Sequence, residues 1–223
     1  MKPLQDPLPL HAMRVRLAGL ALLEAIVHGI NRNTQITQAK TDARLGVFCA
    51  GYDDAGGSYA SFSMREGHGA LLCGGTSEDP RYWERGPLIE QVARSRIARL
   101  PMPVATLVER EVPKSLGWTF AMHAAVGAGE WSDLTGADPR CLAASLMRGS
   151  EYFVGDDHAA CDRVCEEWGW LPASRAAVLS VLRGEPLTTA LARGLLRERS
   201  IEEVVRDSAS IGYPVSRELA SGG

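Results

Sequence analysis

Apolar residues run almost without interruption from 12 to about 30, where Gly29 and Asn31 act as stop signals, so the first element is expected to be a helix buried on most of its sides. The period then changes. A short apolar run over 45–52 is followed by a second punctuated by Tyr59, Phe62 and Met64, and Asp53-Asp54-Ala55-Gly56-Gly57 between them supplies turn chemistry. That combination predicts a β-hairpin. Gly67-His68-Gly69 turns the chain again into a third strand over 70–73, ahead of Gly74-Gly75. Strands joined by turns this short pair antiparallel, because parallel neighbours need a crossover of about a dozen residues.

Pro87 fits the first turn of a further helix, with Ile89, Val92, Ala93, Ile97 and Leu100 on one stripe and Arg94, Arg96 and Arg99 on its other face. After Pro101-Met102-Pro103, the runs 104–112 and 116–125 read as two more strands joined through Pro113 to Ser115. Beyond them the pattern is helical. Asp138-Pro139 supplies an N-cap and a first-turn proline for a helix to about 147. More helices are expected over 157–168, 173–183, 187–197 and 200–208, divided by Gly169, Gly184-Glu185-Pro186 and Arg199-Ser200.

The expected fold class is therefore α+β: an N-terminal buried helix, an antiparallel sheet of about five strands with a packed helix, and a helical C-terminal third. Residues 1–135 form the sheet domain and 136–223 the helical region, the two packed as one unit. The order helix, three strands, helix, two strands resembles that of small secretion-chaperone-like folds, a likeness of fold that by itself carries no function. A chain of 223 residues can bury a core without disulfide or metal staples.

Charge narrows the function classes. The net charge is −3 and no block of Lys and Arg is present, which argues against nucleic acid as the partner. A helix-turn-helix reading of the C-terminal helices, with Ala190 and Gly194 at the turn, places Arg193 and Glu203 where that motif wants apolar side chains. Five cysteines, an odd number, fit reduced thiols and a cytoplasmic protein. Arg14 and Arg16 ahead of the apolar stretch 17–27 imitate a secretory signal, but Glu24 interrupts the stretch and no small-x-small cleavage site follows. The stretch is also shorter than the roughly 18 apolar residues of a membrane span.

Several patterns carry possible chemistry. In Asp156-Asp157-His158-Ala159-Ala160-Cys161-Asp162-Arg163-Val164-Cys165, a helix sets His158, Cys161 and Cys165 on one face. Imidazole and thiolates are zinc ligands, and Cys141 or water could complete the set. The same Cys161 and Cys165, with Val164 and Trp168, also form an ordinary apolar stripe. Gly127-Ala128-Gly129 after a strand imitates a nucleotide loop, yet lacks the third glycine and the following acidic residue. Cys49 could act as a nucleophile with His68 or His123 as base and Asp53, Asp54 or Asp133 behind it, although its run Val47-Phe48-Cys49-Ala50 suits a buried thiol equally. Among the aromatics Tyr82, Trp83, Trp118, Trp131, Trp168 and Trp170, the first two lie between Arg81, Glu84 and Arg85. Aromatic residues beside arginine are the composition of interface hot spots, which makes Tyr82, Trp83 and Arg85 the partner-binding candidates.

The sequence reading favours a non-catalytic cytoplasmic binding protein, such as a partner-specific chaperone, inhibitor or adaptor, whose partner is another protein. An enzyme using Cys49 with His68 or His123, or zinc at His158, Cys161 and Cys165, stands second. A nucleic-acid-binding regulator stands third.

Overall fold

The computed structural model describes residues 7–28, 37–53, 57–77, 80–111, 118–127, 130–135, 150–169, 174–196 and 199–220. Helix α1 (Leu10–His28) is followed by strands β1 (Thr37–Asp42), β2 (Val47–Asp53), β3 (Ser58–Arg65) and β4 (Gly69–Thr76). Helices α2 (Pro80–Ile97) and α3 (Met102–Glu111) come next, then β5 (Phe120–Ala125) and β6 (Ser132–Asp133). A 3-10 turn at Ser150–Tyr152 leads into α4 (Asp157–Trp168), α5 (Arg175–Leu182), α6 (Thr189–Leu195), α7 (Ile201–Ile211) and α8 (Arg217–Ala220). The fold is α+β.

The strands form one six-stranded antiparallel meander in chain order. Side chains alternate across a strand, so each strand feeds both faces of the sheet. Phe48, Ala50 and Tyr52 from β2, Phe62 from β3, Leu72 from β4, and Phe120 and Met122 from β5 join one buried cluster. Val47, Cys49, Tyr59, Leu71, Cys73 and Ala121 join the other.

The first cluster runs on through α1 and the C-terminal helices. Helix α1 packs on β1 and β2 at one side and on α5 and α7 at the other. Between two apolar layers every residue of α1 from Arg16 to Ile26 is buried, even Arg16 and Glu24. The terminal nitrogens of Arg16 are paired: its guanidinium donates to Asp157 Oδ1 at 2.6 Å and to the Glu151 and Gly155 carbonyls at 3.2 and 3.3 Å. On the far side Arg199 donates to the Ala25 carbonyl at 2.6 Å and to Asp207 at 2.5 Å. Gly19 lets α1 approach α5 closely, since a Cβ there would lie 2.6 Å from the Val181 carbonyl oxygen.

The second face is covered by α3 over β3 and β4 and by α2 beside β5. Here the chain departs from the pattern read above. Residues 104–112, expected as a strand, lie in α3 as far as Glu111. Val104, Thr106 and Val108 have the branched side chains of a strand, but Val104 and Leu107 are buried at i, i+3 spacing on the sheet. Pro103 stands in the first turn of this helix, where a proline is favoured. Helix α2 begins at Pro80, so Pro87 lies inside it instead of opening it. The expected helix from Asp138 to about 147 lies outside the described residues.

Two strands were not anticipated. β1, Thr-Gln-Ala-Lys-Thr-Asp, has almost no apolar signal and exists by pairing along all six residues with β2. β6 pairs only Ser132 and Asp133 with β5.

Candidate functional site

Sequence candidates fall into three groups, and the structure brings their members together to different degrees. Cys49 lies on the second face of the sheet, buried. Register sets Cys49 opposite Ser63, Ser63 opposite Leu71, and Leu71 opposite His123. The cysteine and His123 thus occupy one row with two strands between them, about 14 Å apart at roughly 4.8 Å per strand. A direct hydrogen bond does not span that distance. His68 sits exposed in the β3–β4 turn, its amide donating to the Arg65 carbonyl at 3.1 Å. Burial holds His123 below the ordinary histidine value.

In α4, Cys161 and Cys165 are neighbours at i, i+4, and His158 points elsewhere. His158 is exposed, with Nε2 3.5 Å from the Arg183 guanidinium. Cys161 is fully buried, its thiol donating to the Arg175 carbonyl at 3.6 Å. Burial pushes that thiol up to about 11, and neighbouring Cys165 adds to the rise. Cys73 is pushed further, to about 12, by burial beneath α2. Among the described residues no three His, Cys, Asp or Glu side chains are grouped so as to hold a metal ion. Cys141 lies outside the described residues.

The third group differs in kind. Trp118, Trp131 and Trp168 are core residues, whereas Trp83 in the first turn of α2 is 72% exposed. Its indole N–H donates to the Ser77 carbonyl at 2.8 Å, which holds the ring in place at the surface. Arg85, two residues on, is also exposed. The side chain of Tyr82 and all of Trp170 lie outside the described residues.

The surface extends beyond Trp83 and Arg85. Leu88, one helical turn further, is 60% exposed, and Met102 at the start of α3 is 75% exposed. Leu88 carries a signal that could have found it: it falls out of phase with the stripe through Ala93 and Ile97 that faces the sheet. Between the end of α2 and the start of α3 an open hollow of about 490 Å³ is lined by Arg94, Ile97, Leu100, Met102 and Ala105. Arg94 is paired with Glu90 at 2.7 Å and stacked over the Trp118 ring at 4.8 Å.

No protein-family model, curated protein or solved structure matches the chain. No helix among the described residues is long and apolar enough to cross a membrane.

The α2–α3 layer therefore combines a held aromatic ring, two further exposed apolar side chains, an apolar hollow and arginines. Such a set can desolvate against a protein surface.

Proposed function

We propose that this chain is a cytoplasmic, non-catalytic binding protein, acting as a partner-specific chaperone, inhibitor or adaptor, and that it engages its protein partner through the α2–α3 layer. The observation that carries the reading is Trp83, exposed over 72% of its surface and held by a hydrogen bond of 2.8 Å. An aromatic anchor already fixed in its bound orientation loses little rotamer freedom on binding. Leu88 and Met102 extend the apolar contact toward the hollow, and the exposed Arg85 belongs to the residue class enriched at hot spots.

The test is site-specific photo-cross-linking in the source cells. A photoreactive side chain at Leu88 is expected to capture one protein species. The same group at Leu45, exposed in the β1–β2 turn at the opposite end of the sheet, is expected not to capture it. Trp83→Ala should remove the Leu88 product while changing stability by less than about 0.5 kcal/mol, as befits a surface position. Identical capture at both sites, or none at Leu88, contradicts the proposal.

A further inference from the structure

Helix α2 carries a second regularity on its outer side. Arg85, Leu88, Val92 and Arg96 follow one another at spacings of three, four and four residues, the seam of a helix that meets another helix, and Arg99 stands in the turn just beyond the end of α2 at Ile97. The seam lies on the flank of α2 beside its buried face: Arg85, Leu88, Arg96 and Arg99 are exposed and Val92 is half-buried, while Ala93 and Ile97 are buried against the second face. It places two apolar side chains in the middle and cations at both ends.

The charges on α2 are unequally committed. Arg94 is occupied by Glu90 and by the Trp118 ring. Among the described residues no carboxylate pairs with Arg85, Arg96 or Arg99, and Glu84 is the one carboxylate on the exposed side of the helix. In a chain of net charge −3 this is a local concentration of cations around an apolar centre.

Resting on the reading of the α2–α3 layer as a docking surface, we propose that the partner presents an acidic amphipathic helix to this seam. Its apolar stripe lies over Leu88 and Val92, and its carboxylates face Arg85 at one end and Arg96 and Arg99 at the other. At about 1.5 Å per residue the helical part of the seam, from Arg85 to Arg96, is about 16 Å long, so those carboxylates stand about three turns apart. Arginine suits the role because its planar fork pairs with a carboxylate through two hydrogen bonds. A phosphate backbone fits less well, since it would lay Leu88 and Val92 against charge. An anionic membrane fits less well too, since two apolar residues between arginines give little area to insert.

The experiment measures binding of the full-length protein to two fluorescent helical peptides of about 21 residues, three heptads each. Both carry the same Leu seam, one flanked by Glu and the other by Lys. The Glu peptide is expected to bind at least ~10-fold more tightly, to weaken in about 0.5 M salt, and to lose its advantage in the triple variant Arg85→Glu, Arg96→Glu, Arg99→Glu. Circular dichroism of that variant should be unchanged. Equal affinity for the two peptides, no binding of either, an unaffected triple variant, or displacement of the Glu peptide by duplex DNA or phosphatidylglycerol vesicles overturns the proposal. The two ideas fail separately: with a cross-link still formed at Leu88, failure of the peptides removes the acidic helix and leaves the docking surface.

Discussion

The two faces of the sheet are made by alternate residues of the same strands, yet they are built differently. On the face toward α1, Phe48, Phe62, Phe120 and Met122 interlock with a buried helix, and Phe48 meets Phe62 edge-on at 5.9 Å. Behind α1 lies a further layer of helices, so the core continues past the first helix it meets. On the other face Cys49, Ser63, Leu71, Cys73 and Ala121 present smaller side chains beside the rings of Tyr59 and Trp118, and the helices above contribute Ala93, Ile97, Val104 and Leu107. Nothing described lies beyond α2 and α3, so Trp83, Leu88 and Met102 face outward. One face secures the fold; the other leaves large apolar groups available.

Neighbouring leucines on β4 test this difference with the same chemistry on both sides. Leu72 points into the α1 core and Leu71 into the thinner layer, both essentially inaccessible to solvent. Leu72→Ala should cost about 4–5 kcal/mol of unfolding free energy, because the surrounding aromatic core cannot collapse into the space. Leu71→Ala should cost about 2–3 kcal/mol, because α2 and α3 can settle inward. Urea unfolding of the two variants decides the matter, and equal losses would break the comparison.

A smaller effect separates the faces by pH. His123, half-buried on the thinner face, is held below the ordinary histidine value of 6.5 by burial. The folded state therefore prefers the neutral ring, and the unfolded chain takes up the proton first as pH falls. The stability this neutral ring contributes is complete above 6.5 and declines below it toward the depressed folded value. Urea midpoints of the wild type should fall relative to those of His123→Gln between about pH 7 and about pH 5. Parallel curves would show that the ring does not sense the cover above it.

The parts of the fold legible in the sequence are those whose signal is local. The hairpin of β2 and β3 could be read from alternating apolar residues around a glycine turn, and α4 from the stripe Cys161, Val164 and Trp168. β1 was not legible because an edge strand of polar residues owes its conformation to its neighbour, here β2, and to the bond from Thr41 Oγ1 to the Ile211 carbonyl at 2.9 Å. α3 misled because its branched residues favour strands in isolation, and packing on the sheet decided otherwise. At the candidate site Trp83 and Arg85 stood out by residue type. Leu88 and Met102 did not, since nothing about a single leucine or methionine says whether another layer will cover it. Cys49 and His123 illustrate the reverse: suitable residue types that strand register holds two strands apart.

Native-state hydrogen exchange measures the central asymmetry directly. Amides of α1 between Leu17 and Ile26, enclosed by sheet and helices, should exchange only through global unfolding. Those of α2 and α3 should exchange at least ~100-fold faster through local opening of the outer layer, helped by Pro87, which cannot donate to the Trp83 carbonyl. Equal protection of α1 and α2 would contradict the account, because it would make the α2–α3 layer as firmly built as the core.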